Sequence, residues 1–167
     1  MKAKLIVEGK EFDIDIFDPE LVKIVKPEKK TGYERVGQGD YYYYTGSDGS
    51  ISECFDNRNV SADDDYECAD YYSDEIIAKN NARADKLMRQ LRRFAVEHRT
   101  ENIRWKDTQW KHYITYDYEK GAFNLYHDMN RRDLGVIYFD SVETAEDAIE
   151  TFHDELIWYF TEYKDSL

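Results

Sequence analysis

Cysteine is scarce in this chain, and its scarcity excludes a fold held together by disulfides. The 167 residues include only Cys54 and Cys68. Two cysteines are too few for a disulfide framework, and their separation is not that of a zinc-binding pair. Because the N-terminal residues also lack the apolar core of a signal peptide, we expect reduced thiols in a cytoplasm, packed near strand ends.

Long apolar runs are also lacking. No segment approaches the roughly 20 consecutive apolar residues that a membrane-spanning helix needs. The net charge of −13 disfavours a general affinity for DNA, RNA or anionic membranes, because each of these repels a negatively charged protein. The same charge permits binding of a basic protein, although it also serves simply to keep a small protein in solution.

Aromatic residues, in contrast, are plentiful, with 15 tyrosines among the 167 residues. Highly charged disordered chains are poor in aromatics, so this composition favours a folded protein. The length suits one compact domain with a small additional unit. We therefore expect a main domain over residues 31–167 and an N-terminal appendage over residues 1–30.

The appendage is predicted to be a β-hairpin followed by a short helix and a linker. Residues 3–8 and 11–17 flank a turn at Gly9 and Lys10, and apolar residues alternate with aspartates in the second strand. An aspartate and a proline at positions 18 and 19 then form a helix start signal. The helix is expected to end before Pro27.

The main domain is predicted to be α+β, with antiparallel hairpins packed against two long amphipathic helices. Alternating residues and turn signals predict the strands, while apolar residues at helical spacing predict the helices, capped at Ser73 and at Ser141 or Thr144. The expected strands cover residues 41–45, 50–55, 110–118, 122–127 and 135–139, and the expected helices cover residues 74–98 and the C-terminal segment after the second cap.

The two halves of this domain share an order of parts. Each has a tyrosine-rich hairpin, a polar excursion, an aromatic pair, a serine and a long helix. Ser73 with Glu75 matches Ser141 with Glu143. This order favours a pseudo-repeat of a ββ(β)α unit, although similar helix capping in unrelated segments would look the same.

The most acidic part of the sequence lies between Glu53 and Glu75, where nine acids accompany one arginine. We interpret it as a loop, and three roles are open. The first is a solvated surface, and the second is a surface that offers carboxylates to a basic partner. The third is a calcium site, which is disfavoured because the ligand pattern of an EF-hand loop is missing. The candidate partner-binding residues are Asp56, Asp63, Asp64, Asp65, Glu67 and Asp70.

A basic stretch follows at once, with six bases and one acid between Lys79 and Arg93. These bases are predicted to lie on a helix, away from its apolar face. Three roles are open for these bases. They pair with the protein's own acids, or they contact a second subunit, or they bind phosphates while nearby tryptophans stack on the bases of a nucleic acid. The candidate residues for nucleic-acid binding are Lys79, Arg83, Lys86, Arg89, Arg93, Trp105 and Trp110.

Signals for catalysis are few. His127 with Asp128 and His153 with Asp154 are isolated pairs, and no Gly-rich phosphate loop, nucleophile elbow or zinc helix is present. We therefore predict a non-enzymatic protein that has no catalytic residues, no metal site and no cofactor.

Five stretches carry a recognisable pattern: residues 29–36 (KKTGYERV), 39–43 (GDYYY), 72–75 (YSDE), 91–98 (LRRFAVEH) and 103–105 (IRW). Together they resemble a widespread set of small accessory proteins encoded by phages, prophages and mobile elements of Gram-positive bacteria. The resemblance covers nearly the whole chain. The set has no settled activity, so no site residues can be transferred. What the resemblance implies is an accessory protein made in a bacterial cytoplasm.

The leading hypothesis is a protein that binds and inhibits a host nucleic-acid-handling or defence protein, such as a CRISPR nuclease, through its acidic surface. Carboxylates near the spacing of phosphates can occupy a nucleic-acid-binding channel. Direct binding of nucleic acid by the basic helix is the first alternative, which the net charge disfavours. A homodimer whose acidic and basic faces pair is the second.

Overall fold

The protein is described from a computed structural model, which describes residues 2–7, 10–15, 30–100 and 108–163. The chain divides into two compact units, Met1–Lys30 and Thr31–Leu167. Helices and antiparallel strand pairs are both present, which confirms the predicted α+β class. None of the helices in these described ranges is long and apolar enough to cross a membrane.

The described part of the first unit is a hairpin. Strand β1 (Lys2–Val7) pairs antiparallel with β2 (Lys10–Asp15), so the predicted hairpin is confirmed with strands that begin one residue earlier. An exposed ion pair joins Lys4 to Glu11 across the strands at 2.7 Å. The predicted short helix and linker after this hairpin lie outside the described residues.

The second unit begins with another hairpin, formed by β3 (Tyr41–Thr45) and β4 (Ile51–Phe55). The acidic segment after it is not a loop, as the sequence suggested, but helix α1 (Val60–Glu67). The side chain of Asn59 starts this helix by accepting a hydrogen bond from the amide of Ala62. Ala62 is buried in an aromatic cluster with Tyr42 and Tyr71, which anchors the short helix.

Helix α2 (Glu75–Glu97) is the longest element, close to its predicted bounds. Its N-cap is Asp74 and not Ser73, because the Asp74 carboxylate accepts hydrogen bonds from the amides of Ile76 and Ile77. The hydroxyl of Ser73 donates instead to Glu34. Apolar residues at helical spacing make one face of α2 part of the main core.

The second half repeats the hairpin with β5 (Lys111–Asp117) and β6 (Ala122–Asp128). The strand predicted at residues 135–139 does not form; only Phe139 pairs with His112, through two backbone hydrogen bonds. Gly135, with a φ of 79°, leaves the extended conformation, so the segment departs from β5 before a ladder develops.

The predicted C-terminal helix is present but interrupted. Ser141 caps α3 (Val142–Thr151), and the chain continues as α4 (His153–Trp158) and a π-helix (Tyr159–Tyr163). The break falls at Phe152, whose backbone (φ −113°, ψ 22°) is not helical. Its side chain packs against the main core.

The repeated order of parts is visible in the backbone pairing. Tyr43 of the first hairpin pairs with Tyr72, and His112 of the second hairpin pairs with Phe139. In both cases the paired residue lies shortly before a capped helix. The main core lies between α2 and the second half, and its buried residues are Leu87, Leu91, Phe94, Ala95, Phe139, Ala145, Ala148 and Leu156.

Candidate partner-binding surfaces

Asp56 is not part of an exposed acidic surface, which corrects the sequence-based assignment. Its side chain is 0% exposed. The carboxylate accepts hydrogen bonds from the Arg35 guanidinium (2.8 Å), the Tyr71 hydroxyl (2.9 Å) and the Arg58 amide (2.8 Å). The Arg35 guanidinium holds the pKa of Asp56 well below its usual range. Asp56 is therefore a structural anion.

Three more of the candidate acids are engaged within the fold. Asp63 forms an ion pair with Arg35. The Tyr42 hydroxyl donates to Asp65 at 2.7 Å, and the Thr45 amide donates to Asp70 at 3.0 Å. These contacts fix α1 and the segment after it to the first hairpin. Each of these acids retains some solvent exposure, so they contribute to surface charge without being free to reorient.

The tyrosines of this cluster report the same environment. Burial, together with the Asp56 carboxylate, raises the pKa of Tyr71 to about 12. Burial beside Asp65 also raises the pKa of Tyr42. The two rings stack with centroids 4.2 Å apart. Neutral tyrosine hydroxyls and paired carboxylates therefore hold α1 against the first hairpin.

The outer side of α1 carries the remaining candidates, Asp64 and Glu67. Both are exposed, and at a spacing of three residues they lie on one side of the helix. Asp40 and Glu53 are also exposed in this half. Within the described part of the chain, no basic side chain pairs with any of these four acids. We call these four residues the unpaired acids.

More of the basic side chains on α2 form ion pairs with acids of the protein than the sequence indicates. Lys79 pairs with Glu75 at 2.7 Å, and Arg93 lies 4.0 Å from Glu97. Arg83 binds both oxygens of Glu155, at 2.8 and 3.1 Å. Its guanidinium also lies 4.0 Å from the centroid of the Trp158 ring. These contacts support the interpretation that much of this face pairs with the protein's own acids.

Lys86 and Arg89 are the candidate bases without an ion pair among the residues that the structure describes. Both are exposed. Trp105 lies outside the described residues. Trp110 is about half exposed, and its ring packs edge-on against His127 at 4.5 Å, on the second hairpin. No described ring contact or hydrogen bond joins Trp110 to α2.

The two cysteines are exposed free thiols, which corrects the expectation that they pack inside. Among the described residues, no group of three histidines, cysteines or acids is arranged to hold a metal ion. His112 and His127 face each other across β5 and β6, and burial beside His127 lowers the pKa of His112. His153 and Asp154 are exposed neighbours on one turn.

Sequence reasoning missed Arg35, which binds both Asp56 and Asp63. A signal was available, because Arg35 and Arg58 are the only two bases between residues 31 and 73. Ten carboxylates share that stretch, so a buried one among them would be expected to recruit one of these arginines.

The fold places this chain in the α+β class. No protein-family model, curated protein or solved structure shows a significant match to it.

Proposed function

We propose that the protein is a non-enzymatic binding protein whose first half docks on a basic surface of a partner protein. The observation that carries this proposal is the charge balance of residues 31–73. The only two arginines there, Arg35 and Arg58, are committed to Asp56 and Asp63. The unpaired acids consequently keep their charge available to a partner.

The contacts that hold α1 in place support this role. Asp63 and Asp65 tie the inner side of the helix to Arg35 and Tyr42, while Asp64 and Glu67 lie on its outer side. Carboxylates that are fixed before binding lose less conformational entropy on docking. Exposed Val60 and Tyr66 on the same short helix add apolar area, which specific interfaces need alongside charge.

The kind of partner follows from the charge and from the resemblance to mobile-element accessory proteins. A basic surface that attracts a fixed set of carboxylates is typical of proteins that hold nucleic acid. We therefore propose a host nucleic-acid-handling or defence protein, such as a CRISPR nuclease, as the partner and inhibition as the outcome.

Capture from a Gram-positive host lysate, with and without nuclease treatment, tests this function. The tagged protein is expected to retain a stoichiometric protein partner after nuclease treatment, identified by mass spectrometry. Because protein contacts do not depend on bridging nucleic acid, the yield should be unchanged. Loss of all enrichment after nuclease treatment would contradict the proposal.

Direct nucleic-acid binding is the second candidate, supported by the absence of described ion pairs at Lys86 and Arg89. For this candidate, the anisotropy of a fluorescein-labelled single-stranded DNA should rise on titration, and the affinity should fall steeply as salt rises. Reversing both residues to glutamate should abolish the signal. Absence of binding at low salt would remove this candidate.

A homodimer with paired acidic and basic faces remains a third possibility from the sequence. A monomer at low salt, measured by analytical ultracentrifugation, would contradict it, because low salt favours pairing of opposite charges.

A further inference from the structure

The segment Leu134 to Tyr138 departs from the edge of the second hairpin. Immediately after the C-terminal end of the segment, Phe139 pairs with His112 of β5. Continuing that antiparallel register would place Ile137 opposite Ile114, yet no such pair forms. At the N-terminal end of the segment, Leu134 is fully exposed. Residues 135–137 line two grooves.

The first groove is apolar and has a volume of about 340 Å³. It lies between Ile114 on β5 and Ile137 on the segment, over the core face of α2. None of its described lining residues is charged, and they are aliphatic, aromatic or, at Met88, a thioether. The volume of this groove lies within the range of recognised ligand sites. We call it the apolar groove.

The second groove is also lined by residues 135–137 and has a volume of about 440 Å³. Three arginines line it: Arg92, Arg99 and Arg132. No carboxylate is among its described lining residues, although the protein carries a net charge of −13. The exposed Val96 adds an apolar patch between Arg92 and Arg99. We call it the arginine groove.

The backbone of Val136 and Ile137, which line both grooves, can form further hydrogen bonds. Among the described residues, the amides and carbonyls of Val136 and Ile137 make no backbone hydrogen bond. On β5, His112 points its backbone groups toward Phe139, so Ile114 points its own toward the same edge. Unpaired backbone groups beside a strand edge are a template for a further strand.

We propose that residues 134–138 and their two grooves form a docking site for an extended acidic-and-apolar peptide segment of a partner protein. Backbone hydrogen bonds to the amide and carbonyl of Ile137 align the peptide. One apolar side chain enters the apolar groove, and carboxylates bind Arg92 and Arg99. The charge of the arginine groove selects an acidic partner, and the unpaired backbone selects a polypeptide over a lipid.

This site is formed by the C-terminal part of α2 together with the second half, and its charge is opposite to that of the unpaired acids. It therefore goes beyond the function proposed above, and either one stands if the other fails. A partner that carried both a basic surface and an acidic tail would engage the two sites together.

The test uses two fluorescein-labelled peptides and the full-length protein. In the first peptide glutamate alternates with leucine and valine, and in its twin lysine replaces each glutamate. We expect saturable anisotropy with the acidic peptide only. Arg92→Glu with Arg99→Glu should weaken binding about tenfold or more, since two charge contacts become repulsive. Leu134→Asp should also weaken binding of the acidic peptide, because the new carboxylate at the apolar groove repels the glutamates of the peptide.

Arg89→Glu is the matched control, since Arg89 is exposed on the same helix but outside the arginine groove. It should bind the acidic peptide within about twofold of the unmodified protein. Thermal melting establishes that all variants fold. Equal binding of the two peptides, equal losses for Arg89→Glu and the double variant, or no saturable binding up to about 1 mM would overturn the proposal. Binding of an oligothymidine that the double variant loses would replace the peptide with nucleic acid as the occupant.

Discussion

Replacement of Asp56 by alanine is expected to destabilise the protein by about 3–5 kcal/mol. The carboxylate is fully buried and is the shared acceptor for Arg35, Tyr71 and the Arg58 amide. Its removal leaves the Tyr71 hydroxyl without an acceptor inside the aromatic cluster and weakens the hold on Arg35. Breaking a buried ion pair costs more than the pair itself contributes, because the remaining group stays desolvated.

Urea denaturation followed by far-UV circular dichroism measures this loss directly. Asp64→Ala is the matched control, since Asp64 is exposed and has no base as a partner among the described residues. The control should change the free energy of unfolding by no more than about 0.5 kcal/mol. Equal effects of the two substitutions would show that the buried Asp56 carboxylate does not stabilise the fold more than an exposed carboxylate does.

The pH dependence of stability gives an independent test of the same carboxylate. The pKa of Asp56 is lowered in the folded state, so its contribution is present above the unfolded value of about 3.9. That contribution is lost as the pH falls through the folded pKa. We expect the stability of Asp56→Ala to fall less steeply than that of the unmodified protein below about pH 4. Parallel curves would contradict the assignment.

Phe139→Ala is expected to cost about 3–5 kcal/mol, the second large effect. The ring is 1% exposed and lies in the main core with Leu87, Leu91 and Leu156. Truncation removes the apolar contacts and opens a cavity beside the apolar groove, which the surrounding helices cannot fully close. The backbone pairing with His112 does not require the side chain, so the loss reports packing.

Leu134→Ala is the control for this substitution, because Leu134 is fully exposed. Its effect on the melting temperature should be small, while Phe139→Ala should lower it by many degrees. If the two variants melted together, the core of the second half would have to be placed elsewhere.

Much of the fold could be predicted from local patterns. Alternation around Gly-containing turns predicted the hairpins, and the 3.6-residue spacing of Leu87, Leu91 and Phe94 predicted α2. Helix α1 was missed because a run of aspartates is typical of a solvated loop. Burial of Ala62 and the cap at Asn59 stabilise the helix in spite of that composition. Tertiary contacts of this kind leave no periodic signal in eight residues.

The candidate surfaces show a different limit. The sequence correctly indicates that acids dominate residues 53–75 and bases dominate the helix after them. It does not say which acid is neutralised. Asp56 meets Arg35 from 21 positions away, and Arg83 meets Glu155 from 72 positions away. Pairings over such separations depend on the folded geometry, so exposed and buried aspartates look alike in the sequence.

The proposed acidic docking surface is tested most directly by charge reversal in the nuclease-treated capture. Asp64→Lys with Glu67→Lys reverses the outer side of α1, and Glu146→Lys with Asp147→Lys makes the same charge change on exposed positions of α3. The first pair should lose the captured protein partner, and the second should retain it. Equal retention by both variants, or equal loss, would contradict docking through the unpaired acids of α1.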